Sequence, residues 1–383
     1  MAGERPGRAR RRSLHVSDAE GGGGAEVVFR ATMQAAIALG DETAQYVGGE
    51  SRSPLSYVFS WRHYVGMRRK LREFRPDVVH LHNYYHFLSP SILLALRHYR
   101  RTRPDCRVIF TAHDYHLVCP NSGLRHVVDG VMQNYDAHDL RFSLRDRFDD
   151  RSALHSALKL IQHVVAYRIL GLRDVLDTVI SPSYFLRDVF QGGGVETPIE
   201  VVRNPVALPE PDVDSGSGSG LVYLGRIVPE KGVIEFVRSL EQSGSRVSLD
   251  VFGSGEDSDK LMALRGELEY VNLTLHGAVD HGDVPATLRR YRALVHASRW
   301  YENAPVAIVE AAAQGLEVVV CAGGGGEEMS MLAKRQHIFE QDSVESIAAA
   351  VASAAASTGK NEIIDPSEFS AETYARRIDQ IYA

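Results

Sequence analysis

The stretch RWYENAPVAIVEAAAQG (299–315) carries two carboxylates eight residues apart, Glu302 and Glu310, on either side of a proline-containing turn. Asn303 is a good N-cap, Pro305 is tolerated in a first turn and Gly315 is a natural stop, so the pattern predicts a helix over 304–314. Glu302 would then stand at the helix mouth, with Glu310 about 12 Å farther along at roughly 1.5 Å per residue. Carboxylates accept hydrogen bonds from hydroxyls, and the helix N-terminus between them attracts an oxyanion. A ligand with a polyol at each end and anions in the middle, a nucleotide-sugar, fits that spacing. Two ordinary surface acids on an amphipathic helix fit it equally.

A second group is cationic. YLGRIVPEKGVIEF (223–236) ends an apolar run at Gly225-Arg226 and opens a helical pattern near Lys231-Gly232. An arginine fork and a lysine point charge on one strand-to-helix loop suit a diphosphate; the alternative is a surface loop in which Glu230 neutralises Lys231. Near the start, SDAEGGGGAEVVFR places Gly21 to Gly24 between a strand pattern and a helix pattern, where backbone can approach a ligand and free N–H groups can meet an anion. A dinucleotide fingerprint needs GxGxxG and an acid ending the second strand, whereas Asp41 and Glu42 precede that strand, which argues against NAD. Five histidines (His80, His82, His86, His113 and His116) crowd VVHLHNYYHF and TAHDYHLVCP, with Asp114 beside them. They lack HExxH or paired-cysteine spacing, so a metal site is not expected, and His113 at a strand end is read as a hydrogen-bonding partner of substrate.

The elements that must position these residues follow a βαβ rhythm. Strand patterns at 13–18, 43–48, 77–82, 107–113 and 177–183 alternate with helical ones, as in a parallel sheet covered on both faces. RNPVALPEPDVDSGSGSG (203–220) is a linker by composition. The rhythm then restarts with strands at 221–226, 248–253, 271–277, 293–298 and 317–322, and AETYARRIDQIYA (371–383) is an amphipathic helix. The expectation is two doubly wound α/β domains, 1–205 and 206–370, with the default ligand site in a cleft at their strand C-terminal ends. A length of 383 residues, 44% hydrophobic and 24% charged, suits two globular domains. Cys106, Cys119 and Cys321 have no CxxC spacing and read as reduced thiols, and the basic start has no apolar run behind it, so a cytoplasmic protein is expected. Residues 1–205 hold 28 Lys and Arg against 22 Asp and Glu, and 206–383 hold 15 against 27. The basic excess peaks in RHYVGMRRKLREFRP (62–76), either a solvated helix face or a weak contact with an anionic membrane or acceptor. No aromatic-and-basic module accompanies it, so nucleic acid is not expected.

Taken together these segments resemble the glycogen-synthase-like retaining glycosyltransferases of GT-B fold, the family numbered four in sequence-based classification. The resemblance runs through the glycine turn, PDVVHLHN, TAHDYHLVCP, VISPSYFLRDVF, VVRNPV, LGRIVPEKG, VFGSGE, YENAPVAIVEAAAQG and AGGGGEE. Its most specific feature is the pair Glu302 and Glu310 together with the Gly-Arg…Lys-Gly loop. It implies two Rossmann-like domains facing across a cleft, with the final helix 371–383 crossing back to the first. It implies that Arg226 and Lys231 hold the donor diphosphate and stabilise the departing nucleotide without a metal. Glu310 would take the ribose hydroxyls, Glu302 those of the transferred sugar, and His113 would lie near the reacting carbon. Gly22, Gly23 and Gly24 would cover the phosphates, Asn303, Ala304, Pro305 and Val306 would line the donor at the helix start, and a loop at Gly324, Gly325 and onward to Glu328 would close on the sugar. Retention of anomeric configuration through an oxocarbenium-like state is implied, so no nucleophile is expected.

The sequence departs from that pattern in three places: RNPV replaces a frequent Asn-Gly pair, the first turn has four glycines, and Cys119 stands alone where some relatives carry a cysteine cluster. The expected reaction is hexosyl transfer from a nucleotide-diphosphate sugar, as co-substrate with no other cofactor, to a hydroxyl of a natural product, glycan or envelope component. The alternative of the same fold is a pseudo-glycosyltransferase forming a C–N bond, or a sugar-nucleotide epimerase. The expected location is the cytoplasm, with a peripheral contact at the inner membrane face through 62–76.

Overall fold

A computed structural model describes residues 10–20, 23–49, 53–208, 218–357 and 366–383, which fall into two compact units. The first runs to Pro205 and takes in Phe369–Ala383; the second is Val206–Glu368. Gly22 of the expected phosphate cover and half of the linker stretch, 209–217, lie outside the described residues.

The first unit is built on a parallel sheet of β1 (Arg12–Ser17), β2 (Glu42–Val47), β3 (Val78–Leu81) and β4 (Arg107–Thr111), joined after an antiparallel hairpin of β5 (Arg125–Val128) and β6 (Val131–Asn134) by β7 (Thr178–Ser181) and β8 (Ile199–Val201). The strand order is β2-β1-β3-β4-β7-β8, all parallel. The order reverses between β1 and β3, the usual place for a ligand crevice in an open α/β sheet. β8, three residues of partly exposed IEV, and the hairpin, set in a polar region, have too little apolar content to register as strands in the sequence. The last helix, Ala371–Tyr382, buries Tyr374, Ile378, Ile381 and Tyr382 against Val28, Ala35 and Ala36 of helix Gly24–Ala38 and against Val78, Ile109 and Ile180 of the sheet. Its tyrosines are polar anchors as well: Tyr374 shares a 2.6 Å hydrogen bond with Thr32, and Tyr382 one of 2.6 Å with His80 Nδ1. Four buried large side chains, at about 1.5–3 kcal/mol each, account for why this segment docks here.

The second unit repeats the plan with β9 (Leu221–Leu224), β10 (Val247–Phe252), β11 (Val271–Gly277), β12 (Ala293–His296), β13 (Glu317–Cys321) and β14 (Gln336–Phe339). All six are parallel in the order β11-β10-β9-β12-β13-β14. Helices Val233–Gln242 and Val344–Ala356 cover one face, where Phe236, Val237, Leu240, Ile347 and Val351 pack on Leu249, Val251, Val295 and Val319. The reversal between β9 and β12 brings the loops after those two strands together at one edge, and those loops carry Arg226, Lys231 and Glu302.

Candidate donor site

The helix after β12 is Val306–Ala313, with Pro305 as its N-cap, two residues later than the sequence predicted and without Asn303 in the capping position. The cause is Pro305 itself: a residue before proline is pushed out of the helical region, so Ala304 cannot start the helix. Gly315 ends it at φ +72° as expected. Glu302 therefore sits on the extended lead-in rather than in the first turn.

That lead-in is held from two sides. On one, Gly325 N–H donates to the Glu302 carbonyl at 2.7 Å. A Cβ at Gly325 would lie 1.8 Å from the Asn303 carbonyl oxygen, and one at Gly324, where φ is +77°, would press on Tyr301 Cα at 3.2 Å. The expected loop 324–328 is instead the start of a helix, Gly324–Ser330, whose glycines are buried against 301–303. Gly324 and Gly325 thus pack the glutamate's backbone. On the other side, Gly232 at φ +66° brings the end of the β9 loop so near that a Cβ would sit 2.3 Å from the Ala297 carbonyl.

The consequence is the contact between Lys231 and Glu302. The ammonium donates to Glu302 Oε1, and the pair is only 21% and 14% exposed. Glu230 is not the partner of Lys231; its carbonyl accepts from Arg299 N–H at 2.8 Å. Ser298 Oγ also donates to Glu302 Oε1 at 2.7 Å, and His296 Nε2, at the end of β12, stands 3.6 Å from the same oxygen. Burial opposes ionisation of Glu302, but His296 and Lys231 outweigh it and hold the carboxyl well below the usual carboxylate range. Every one of these groups addresses Oε1, which leaves Oε2 to accept from something else.

Arg226 is exposed just after β9, and its guanidinium has no hydrogen bond or ion pair among the described residues. The backbone beneath it is fixed: Tyr223 Oη donates to the Arg226 carbonyl at 2.6 Å, and Gly225 N–H to the Phe252 carbonyl at 3.0 Å. Gly253 and Gly255 after β10 allow that approach, since a Cβ at either would fall within 2.1 Å of the Gly225 or Ile227 carbonyl.

Glu310 is 8% exposed and accepts no hydrogen bond from any described residue. Its nearest charge is His281, itself 72% exposed, 3.6 Å away. Burial raises its carboxyl pKa, with His281 pulling weakly the other way. Val306, at the first position of the helix between the glutamates, is 39% exposed, and Asn303 and Ala304 are half-buried.

In the first unit, β4 ends at Thr111, so His113 lies two residues beyond the strand and not on it. His113 Nε2 bonds His82 Nδ1 at 2.9 Å, and the rings stack with centroids 5.2 Å apart. His82 stacks in turn on His80 (4.8 Å), whose nitrogens bond Thr111 (2.7 Å) and Tyr382. Burial lowers the His113 pKa to about 4, so the ring is neutral at pH 7. His80, His82 and His113 thus bond one another and neighbouring hydroxyls, His82 Nε2 and His116 Nε2 are left without a partner among the described residues, and Asp114 binds Tyr85 Oη and His116 N–H. Among the described residues no group of three or more His, Cys, Asp and Glu side chains is arranged to hold a metal. Gly23 is the N-cap of Gly24–Ala38, and a Cβ on Gly24 would meet nothing within 4 Å. Two residues escaped the sequence reading. His296 reads as an ordinary strand residue; Asp18, buried, accepts from the N–H groups of His86, Phe87 and Leu88 at 2.8–2.9 Å and folds that loop over the end of β1.

Two doubly wound parallel sheets, one in each unit, are the architecture of the GT-B fold. Solved structures agree in fold. Sucrose-phosphate synthase from Thermosynechococcus elongatus is similar at a TM-score of 0.66 and 14% identity, over 97% of this chain and 98% of that one. HepE from Anabaena, in complex with UDP-glucose, gives 0.57 and 13% over 97% and 98%. AviGT4, a glycosyltransferase involved in avilamycin A biosynthesis, gives 0.55 and 16% over 97% of both chains. The family model for glycosyl transferases group 1 matches residues 218–380, and that for glycosyltransferase family 4 matches 22–209. The two models together cover most of the chain, which belongs to the glycosyltransferases they describe. Among curated proteins, a chloroplastic digalactosyldiacylglycerol synthase 2 from Glycine max is 33% identical over 106 residues, 27% of this chain and 22% of that protein, so the match spans about a fifth of the relative's length.

Proposed function

We propose that the protein is a retaining glycosyltransferase that moves a hexosyl group from a nucleotide-diphosphate sugar to an acceptor hydroxyl, with no metal or further cofactor. The observation that carries this reading is Glu310: its side chain is only 11% exposed and receives no hydrogen bond from any described residue, which leaves a poorly solvated carboxylate open to donors from a ligand. The two hydroxyls of a ribose are such donors. Arg226, exposed and unpaired, offers a bidentate fork to the diphosphate. Lys231 has three N–H donors, of which Glu302 takes one and aims the others. Charge developing on the leaving diphosphate is then met by two cations, one anchored by Glu302 and one carried on a fixed backbone, which is the task a divalent metal would otherwise perform. Glu302, ionised and anchored through Oε1, offers Oε2 to hydroxyls of the transferred sugar. Neutral His113 is suited to hydrogen-bond a sugar hydroxyl without adding charge near an oxocarbenium-like centre. Gly24 supplies open backbone for an anion, while the Glu26 carboxylate lies against Gly23.

HepE binds UDP-glucose by its description, which makes that donor the first to try. Thermal shift and slow donor hydrolysis across UDP-, GDP-, ADP- and TDP-sugars, with EDTA present, should single out one nucleotide class and show no metal requirement. Proton NMR of the product with an alcohol acceptor should show the donor's anomeric configuration. Epimerisation of the free donor without acceptor, or inverted product, would overturn the reading.

The first unit also bears an anionic-surface contact in this reading. Trp61 (67% exposed), Leu55 (83%) and Val65 (44%) stand beside Arg62, Arg69 and Lys70 on the segments Pro54–Val58 and Trp61–Phe74. Apolar tips beside cations are the composition of an interfacial helix face. Among the described residues no helix is long and apolar enough to cross a membrane.

A further inference from the structure

A cavity of about 320 Å³ lies wholly within the first unit, lined by Val118, Leu140, Phe142, Gly193, His163 and three arginines, Arg141, Arg168 and Arg173. None of the residues assigned above to the donor borders it. No carboxylate lines it either, although three cations do.

The local fold explains how the cationic groups converge. Helix Ala153–His163 does not stop but widens into a π-helical turn, Val164–Ile169, followed by a 3₁₀ turn, Leu172–Val175, after Gly171 in the left-handed region. Residues five apart diverge on an α-helix and share a face once the turn widens to i→i+5 spacing. His163, at the junction, and Arg168 are five apart. Such bulges are strained relative to a regular helix and recur at functional positions.

The polar groups of this wall lack protein partners. His163 is 1% exposed, and neither ring nitrogen has a hydrogen bond. The His116 backbone favours its charged form without completing one, and burial, reinforced by Arg173 and Arg168, lowers the pKa to about 3. The ring is therefore neutral, with one donor nitrogen and one acceptor. Arg173 is half-buried over the Tyr167 ring at 5.2 Å, and its Nε has no partner. Arg168 lies 5.0 Å from the Phe142 ring centre, and neither arginine forms an ion pair among the described residues. Only Arg141, on the exposed rim, has a carboxylate, Asp139 at 2.8 Å. The buried imidazole of His163 and the half-buried Arg173 Nε, both without a hydrogen-bond partner, form with the exposed Arg168 a polar wall that an anion would complete.

We propose that this cavity is a second binding site, for an oxyanion, phosphate or carboxylate, carried by a small hydroxyl-bearing molecule. Arg168 and Arg173 supply charge and forked donors, and the His163 donor nitrogen adds a third direction. Its acceptor nitrogen suits a hydroxyl of the same ligand. The volume is at the lower end of ligand sites, more than an inorganic anion needs and right for a compact metabolite. The ligand is either an acidic part of the acceptor or an independent effector; both present the same chemistry here. The inference does not depend on the donor assignment.

The test is calorimetric titration of the full chain with inorganic phosphate and with glycerol 3-phosphate, in wild type, Arg168→Gln, Arg173→Gln, His163→Gln and Arg226→Gln. Expected is binding that survives Arg226→Gln, weakens about tenfold or more in Arg168→Gln and Arg173→Gln, and is tighter for glycerol 3-phosphate in a manner lost in His163→Gln. Arg168 is exposed, so that variant folds even if the others do not. Phosphorus NMR during donor turnover then separates the sources: a converted probe is an acceptor, and an unconverted one that changes the rate is an effector. No binding at millimolar probe, or binding abolished by Arg226→Gln and indifferent to Arg168→Gln, overturns the proposal.

Discussion

Glu310→Gln should make the unliganded protein more stable while removing its affinity for donor. In the free protein the Glu310 side chain is 11% exposed, receives no hydrogen bond from any described residue, and has a 72%-exposed histidine 3.6 Å away. An exposed partner of that kind contributes little. Burial raises the folded-state pKa above that of the unfolded chain. A carboxyl shifted upward favours folding while protonated and loses that contribution as pH rises through the folded value, so at neutral pH the charge is a cost. Glutamine keeps the shape and loses the charge, which should add about 1 kcal/mol at pH 7. For a unit of this size that is a rise of roughly 2–4 °C in its melting temperature. At about pH 4, where glutamate is itself protonated, the two proteins should converge. Donor binding moves the other way: two hydroxyl hydrogen bonds to a charged acceptor, at about 1.5–3 kcal/mol each, predict at least a hundredfold loss of affinity. Differential scanning fluorimetry from pH 4 to 8, with and without nucleotide-sugar, reads both effects. A variant that melts lower than wild type at pH 7, or that keeps its donor shift, refutes the reasoning, since Glu310 would then be paired with the fold rather than held for a ligand.

Further outcomes follow from the same geometry. Glu302→Gln leaves Lys231 without its anion and should destabilise the second unit by about 2–3 kcal/mol, a partly exposed version of breaking a buried pair; chemical denaturation measures it. Because the Glu302 carboxyl is held low, its contribution is present above the unfolded carboxyl range and is lost as pH falls through the folded value, so the wild-type advantage over Glu302→Gln should shrink only in strong acid. Gly325→Ala drives a Cβ into the Asn303 carbonyl and should cost several kcal/mol or prevent folding, whereas Gly24→Ala should melt like wild type and weaken only donor binding. Sedimentation with anionic vesicles at low salt should carry down the wild type and not Trp61→Ser/Leu55→Ser; no binding by wild type removes the membrane contact.

Much of the fold was legible because strand period, βαβ rhythm and glycine punctuation are local properties. Ten of the strand patterns needed nothing but apolar runs and their spacing. β8 and β14 escaped because short edge strands are half exposed and need few apolar residues. The helix after β12 began late because a proline vetoes its predecessor, a rule legible in the sequence but set aside there in favour of the capping preference of Asn303.

The sequence by itself singled out the side chains proposed for the donor: two acids, an arginine and a lysine at fixed spacings on strand-end loops. It could not tell whether those acids were surface charges or instruments, because that depends on burial and partners. Only the tertiary structure decided that Glu302 is fully engaged through one oxygen and Glu310 through neither, that Lys231 answers to Glu302 rather than to adjacent Glu230, and that buried glycines 324 and 325 make room for it. The physical reason is that a carboxylate's charge state and purpose are set by what is within about 4 Å of it. In this chain those neighbours are Lys231, His296 and Ser298 for Glu302 and His281 for Glu310, which no local reading brings together.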